Sequence, residues 1–262
     1  MIALITGATS GFGRAIALKF AEHGVDVIIT GRREGKLEEL EHIIKDTYDV
    51  KVFSLSFDVR NYEDVKEKLE SLPHFWKEID VLVNNAGLAS GMSGIHEGAI
   101  ADWETMIDTN VKGLLYVSRT VLPWMVARQK GHVINIGSTA GKDAYLNGNV
   151  YCGTKFAVDA ITKSMRIDLL PHKIKVTAVN PGAAETEFSL VRFKGDATRA
   201  KSVYQGFDPL QAEDIAEIVW FAASRPPHVV LNDIVVTPLA QASSVYIHRS
   251  RNLLWCLCHF SY

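Results

Sequence analysis

Cysteine is scarce: the three present, Cys152, Cys256 and Cys258, are too unevenly placed to form a disulfide framework. The nine histidines are scattered, with no His-Glu-x-x-His and no Cys/His cluster. The Cys-x-Cys pair with His259 has too few ligands for a metal, so no metal site is expected. Charge of one sign is also lacking, since 28 basic and 30 acidic residues leave a formal net charge of -2. Without a global field, a basic stripe or an aromatic platform, no nucleic-acid partner is expected. No apolar run approaches the length of a membrane span, and Met1 leads straight into apolar Ile2 to Ile5 without a charged leader. The expectation is a cytoplasmic protein with no membrane partner. Repeats, linkers and low-complexity stretches are absent as well. What is present, 262 residues of which 47% are hydrophobic, suits one domain with a well-filled core.

Strand-like and helix-like segments alternate along the chain. Ile2 to Thr6 reads as a short buried strand, followed by Gly7-Ala8-Thr9-Ser10-Gly11-Phe12-Gly13 and then helical character from Arg14 to His23. Phosphate binding needs this order, because glycines let the backbone approach a pyrophosphate and a helix N-terminus offers unpaired N–H groups. A purely structural glycine turn is the competing reading. Val25 to Thr30 forms a second strand and ends in Gly31-Arg32-Arg33, about where a dinucleotide-binding unit meets the adenosine ribose. An acid there favours NAD; two guanidinium groups favour the 2′-phosphate of NADP, with a solvated turn as the alternative. After a helix from Glu34 to Lys45, a third strand from Val52 ends at Asp58-Val59, placed to reach the adenine edge. Asp58 or Asn61 equally serves as the cap of a helix over Tyr62 to Leu69. A fourth strand, Ile79 to Val83, stops in Asn84-Asn85-Ala86-Gly87, a small turn against which a flat cofactor can lie.

Ala101 to Ala127 carries apolar residues at helical spacing, with Asn110 inside the stripe. Asn110 either kinks the helix and holds a water that connects to Lys155, or is a core amide satisfied by backbone. A fifth strand from His132 to Gly137 ends at Ser138, whose hydroxyl can donate to a developing alkoxide or can simply cap a turn. In a helix over 150 to 170, Tyr151 and Lys155 share one face a turn apart. A nearby ammonium favours phenolate and lowers a tyrosine pKa from about 10, making the phenol a usable acid/base, although this spacing also occurs on solvated helices. Ala157, Ala160, Ile161 and Ser164 on that helix permit close packing across a subunit interface. Lys173 to Val179 is a sixth strand ending in Asn180-Pro181-Gly182. Residues 183 to 208 then break the alternation, where excursions often close over ligand. Within them Thr186 is placed to contact cofactor amide or phosphate, and Arg192, by its planar fork, is the choice for a substrate carboxylate, with a solvated arginine as the alternative. A helix over Ala212 to Ala223 and a short strand at Ile234 to Val236 complete the pattern.

The order of T-G-x-x-x-G-x-G at Thr6 to Gly13, N-N-A-G at Asn84 to Gly87, Asn110, Ser138, Tyr151-x-x-x-Lys155 and Pro181-Gly182 resembles the short-chain dehydrogenase/reductase family over residues 1 to 240. The resemblance implies an α/β fold, a single-domain Rossmann-type doubly wound parallel sheet with helices on both faces. It would span residues 1–248, with 249–262 as a C-terminal extension of unknown role. It implies a catalytic set of Asn110, Ser138, Tyr151 and Lys155. NADP would be held by Gly7, Thr9, Ser10, Gly11, Phe12, Gly13, Arg32, Arg33, Asp58, Val59, Asn85, Ala86, Gly87, Tyr151, Lys155, Pro181, Gly182 and Thr186, and substrate by Ser138, Tyr151 and Arg192. The segments Asp102 to Asn110, Ile134 to Gly141 and Thr186 to Asp196 look like the family's NADP-dependent 3-hydroxy acid dehydrogenases. That branch implies substrates such as serine, allo-threonine, 3-hydroxyisobutyrate or malonic semialdehyde. A small ketone, sugar or polyol on the same machinery is the nearest alternative, and a non-catalytic NADPH sensor a further one. The family also implies a homo-oligomer, dimer or tetramer, packed through the long helices that start near Ala101 and Val150.

Overall fold

The computed structural model describes residues 1–250. The expected C-terminal extension, with Cys256, Cys258 and His259, lies outside the described residues apart from Arg249 and Ser250. Seven strands form one sheet: β1 (Ile2–Ile5), β2 (Asp26–Gly31), β3 (Val52–Ser56), β4 (Val81–Asn84), β5 (Gly131–Ile136), β6 (Ile174–Pro181) and β7 (Asp233–Val236). Their order is β3-β2-β1-β4-β5-β6-β7 and every neighbouring pair is parallel. Parallel neighbours need crossovers, and these are the helices α1 (Gly11–Glu22), α2 (Glu34–Thr47), α3 (Tyr62–Glu70), α4 (Ile100–Ile107), α5 (Leu114–Arg128) and α6 (Asn149–Leu169). Two short helices, α7 (Glu187–Arg192) and α8 (Ala197–Ser202), occupy the excursion before α9 (Ala212–Ala223).

The period-two alternation of β1 divides the core. Ala3 and Ile5 face one layer, with Ile16 and Phe20 of α1, Leu37 and Leu40 of α2 and Val219 of α9. Ile2 and Leu4 face the other, with Leu69 of α3, Val121 of α5 and Val158 of α6. Both faces are therefore covered, which is why these strands read as continuous apolar runs. The order reverses between β1 and β4, so the turns that follow these strands diverge and leave a crevice at their carboxyl ends. Among the described residues no helix is long and apolar enough to cross a membrane.

The helical stretch expected over 101–127, with a kink at Asn110 as one reading, is interrupted at Asn110. A wider, π-type turn over Asp108–Gly113 separates α4 from α5. Such a turn inserts extra chain without ending the helix, so the apolar spacing runs through it unmarked. The third strand also ends earlier than expected, at Ser56, and α1 begins earlier, at Gly11. Of the two candidate caps for α3, Asn61 does the capping, accepting from the N–H groups of Glu63 and Asp64.

His132 lies buried in β5, with Nε2 2.8 Å from the Thr177 hydroxyl and Nδ1 without a partner. Burial, reinforced by the nearby Lys175 charge, pushes its pKa down from 6.5 to about 3. Between those values the unfolded chain binds a proton that the folded chain does not. Its contribution to stability is therefore complete above pH 6.5 and is lost as pH falls towards about 3. At about 1.4 kcal/mol per pKa unit the loss amounts to a few kcal/mol. Denaturant unfolding should show wild-type stability falling more steeply than that of His132→Gln across this acid window, whatever their difference at neutral pH. Parallel slopes would contradict the assignment.

Candidate active site

The turn after β1 and the start of α1 form a cradle in which side chains have no room. Gly7 has φ +67°, and a Cβ there would lie 2.9 Å from the Ala86 Cα; a Cβ on Gly13 would collide with the Gly7 carbonyl oxygen. Thr6 fastens this turn to the one after β4, its hydroxyl accepting at 3.0 Å from both the Asn85 and Ala86 amides. Asn85 donates its side-chain amide to the Thr6 carbonyl at 2.8 Å and the Gly7 carbonyl at 3.2 Å. Asn85 thus holds the cradle in shape from behind.

A long groove runs over these turns. Gly7, Thr9, Ser10, Gly11, Phe12, Arg32, Arg33, Asp58, Val59, Asn85, Ala86, Gly87, Tyr151, Lys155 and Thr186 all line it. Gly13 does not line it but packs against the Gly7 carbonyl and the Asn85 side chain. The two arginines diverge. Arg33 bends back over the glycine turn, donating to Thr9 Oγ1 at 3.0 and 3.2 Å and to Ser10 Oγ at 2.8 Å, and pairs with Glu187 of α7 at 2.9 Å. Arg32 stands 4.0 Å from Asp58, whose carboxylate is forked by Arg60 at 2.6 Å. Burial alone would raise the Asp58 carboxyl, but the bonds from Arg60 outweigh it and hold it below the usual range. The groove fits a phosphorylated dinucleotide: a cradle that admits only glycine, exposed guanidinium groups at the β2 end, and the buried Thr109 hydroxyl, which has no protein partner and lies on the groove wall. Thr186 accepts from the Phe188 amide as the cap of α7.

A second cavity opens on the far side of Tyr151. Ser138, Tyr151, Pro181, Gly182 and Arg192 line it, together with Tyr145, Phe188, Met92, Phe193 and Val203. Tyr151 lines both cavities, as do Phe12, Gly137, Thr186 and Phe188, so its phenol lies where the two meet. Ser138 follows β5 and is fixed from β6, where Asn180 Oδ1 accepts from its amide at 3.2 Å; its hydroxyl accepts from the Ala140 amide at 3.0 Å. Arg192 donates to the Tyr145 hydroxyl at 2.8 Å, and its guanidinium carbon lies 5.7 Å from the centre of the Tyr151 ring. Its Nε is buried without a partner. The structure therefore brings Arg192 to the cavity wall.

α6 delivers Tyr151 and Lys155, and a buried polar network seats that helix on the sheet. Asn84 donates to Ser118 at 3.0 Å and to Asn135 at 2.9 Å, and Asn135 donates to Thr162 of α6 at 2.9 Å. Lys155 is buried, its ammonium donating to the Ile136 carbonyl at 3.0 Å, and burial lowers its pKa to about 8. The balance at Tyr151 runs opposite to the sequence expectation. Burial pushes the phenol well above its usual value, Tyr145 adds to the rise, and the Ser138 hydroxyl and Arg192 charge offset only part of it. Lys155 Nζ, drawn to the strand carbonyl, sits 6.0 Å from the Tyr151 ring centre, so the protonated phenol is the resting form.

Asn110 lines neither cavity. Within the π-type turn it accepts from the Leu88 amide and donates to the Leu88 carbonyl, both at 2.8 Å, and also donates to Thr154 at 3.0 Å. It therefore braces the segment after β4 against α6 one residue from Lys155; the interrupted helix belongs to the first of its two readings and the backbone partners to the second. Tyr145, Phe188, Thr109 and Glu187 were not singled out by sequence reasoning. Phe188 stands edge-on to Tyr151 at 5.5 Å. Only its place in the excursion, two residues after Thr186, marked it. Among the described residues no group of three His, Cys, Asp or Glu side chains is placed to hold a metal ion.

A parallel sheet whose reversed order opens on a glycine cradle, with serine, tyrosine and lysine at the junction of two cavities, defines a class of nucleotide-dependent oxidoreductase. The family model described as short chain dehydrogenase matches residues 1–196, and the chain belongs to that family. It is 48% identical over 252 residues to the NADP-dependent 3-hydroxy acid dehydrogenase YdfG of Salmonella typhi, covering 95% of this chain and all of that one. It is 41% identical over 249 residues to an NADP-dependent 3-hydroxy acid dehydrogenase of Schizosaccharomyces pombe, covering 95% of this chain and 96% of the relative. A solved closed form of serine dehydrogenase complexed with NADP+ superposes with a TM-score of 0.89 at 47% identity, over 95% of this chain and all of that one.

Proposed function

We propose that this protein transfers a hydride between NADP(H) and a small 3-hydroxy acid of the serine, allo-threonine or 3-hydroxyisobutyrate type, or in the reverse direction reduces a 3-oxo acid such as malonic semialdehyde. The observation that carries the reading is Tyr151 at the junction of the two cavities, with Ser138 and Arg192 on the substrate side. Arg192 holds the substrate carboxylate by its planar fork. Ser138 and Tyr151 receive the 3-hydroxyl, and Tyr151, once its phenol has released its own proton to solvent, takes the hydroxyl proton as the carbon-bound hydride leaves. Bound NADP+ would supply the hydride acceptor in the groove that Tyr151 lines. Lys155 spends one hydrogen on the Ile136 carbonyl and has two left for the cofactor ribose. Arg32 and Arg33 take the 2′-phosphate, and Asn110 holds the wall behind Lys155. The atoms balance as hydroxy acid plus NADP+ giving oxo acid, NADPH and a proton.

A second reading, reduction of a neutral ketone, has its own support in the apolar walls contributed by Phe12, Met92, Phe188, Phe193 and Val203. The test is NADPH formation over a panel of 3-hydroxy acids and neutral alcohols. We also propose a homo-oligomer working in the cytoplasm, formed from residues 1–248 as one folding unit. Ile107 near the end of α4, Leu115 of α5, and Phe156 and Ile167 of α6 are exposed apolar side chains on the long helices expected to pair.

A further inference from the structure

The ion pair between Arg33 and Glu187 joins residues 154 positions apart and is the point where the cofactor groove and the substrate-side excursion meet. Arg33 is the hub: the guanidinium that binds Glu187 also binds the Thr9 and Ser10 hydroxyls of the glycine turn. These are the donors that a 2′-phosphate at the end of β2 would use. Glu187 therefore sits as an anion on the anion site, brought there by the first residue of α7. That helix carries Phe188 and Arg192 on the substrate cavity. The excursion is fastened beyond the other end of α7 by Lys194, paired with Asp102 of α4 at 2.9 Å. Burial alone would raise the Glu187 carboxyl, but the bonds from Arg33 and Ser10 outweigh it, and it is held below the usual range. It is consequently charged throughout the neutral range.

We propose that Glu187 is an internal competitor for the 2′-phosphate: its carboxylate holds the Arg33 guanidinium until the phosphate displaces it. The inference rests on the NADP reading above. Two anions cannot both take the same guanidinium edge without repulsion, so phosphate binding must loosen the Glu187 contact and with it the first turn of α7. Glu187 thereby tempers affinity for NADP(H), leaves NAD(H) unaffected and ties cofactor choice to the helix that bears Arg192.

The test measures binding alone. Adenosine 2′,5′-bisphosphate, adenosine 5′-monophosphate and NADPH are titrated calorimetrically into wild-type protein and Glu187→Gln. The side chains are half exposed, at 48% for Arg33 and 49% for Glu187. An exposed pair implies a modest change, so Glu187→Gln should bind the bisphosphate and NADPH about threefold to tenfold more tightly, with the monophosphate unchanged. If wild-type protein prefers the bisphosphate but the variant binds it equally or more weakly, the proposal is overturned and the NADP reading stands. Weaker binding would mean that Glu187 helps to hold the cofactor. If wild-type protein does not distinguish the two nucleotides, the role of the arginines falls and the proposal falls with it.

Discussion

Tyr151→Phe should lower turnover by roughly 10²- to 10⁴-fold, the range expected for loss of a positioned acid/base group. The ring should keep its place, because its packing against Phe188 does not involve the hydroxyl. Circular dichroism and NADPH affinity should therefore match wild type, which separates lost chemistry from lost folding. The pH dependence gives a second signature. Since burial raises the phenol, alcohol oxidation by the wild type should accelerate as pH rises, whereas the residual rate of the variant should lack that limb. A Tyr151→Phe protein with ordinary turnover would remove the residue from the reaction.

The second large effect is expected at Arg192. Its guanidinium reaches the cavity through two restraints, the hydrogen bond to Tyr145 at 2.8 Å and the position of α7. Hydrogen bonds to charged groups contribute about 1.5–3 kcal/mol, so Arg192→Ala should cut kcat/KM for 3-hydroxy acids by about ten- to a hundredfold. The loss should fall mainly in KM, because the carboxylate is held equally in ground and transition states. Neutral alcohols should be nearly unaffected. Arg192→Lys should recover part of the attraction without the fork. Equal losses on charged and neutral substrates would instead make Arg192 a packing residue for Tyr145.

Local signals carried most of the fold. Buried parallel strands need continuous apolar runs, and Ile2 to Ile5 or His132 to Ile136 cannot be mistaken for solvated segments. The glycine cradle was legible because Gly7 and Gly13 answer to backbone requirements that no other residue meets. Helical spacing put Tyr151 and Lys155 on one face, but only their place after the glycine turn, the amide turn and Ser138, in the order of the family's motifs, singled them out from a pair on a solvated helix. What spacing does not encode is depth. The same four-residue interval that suggested an activated phenol leaves Lys155 bound to a strand carbonyl and Tyr151 enclosed, and enclosure decides the resting protonation. The polar Asn110 inside the apolar stripe hinted at an irregularity, but its π-type form was not legible because the extra residue leaves the stripe intact. The Arg33–Glu187 pair and the seating of Arg192 on Tyr145 arise between distant segments, and no local pattern reports them.

The central claim is most directly tested by initial rates of NADPH or NADH formation when wild-type protein is given NADP+ or NAD+, respectively, with serine, allo-threonine, 3-hydroxyisobutyrate and a set of neutral alcohols. The predicted result is absorbance growth with NADP+ and at least one 3-hydroxy acid, much weaker with NAD+, and weaker again with neutral alcohols. Turnover of neutral alcohols alone, preference for NAD+, or no NADPH from any 3-hydroxy acid would contradict it.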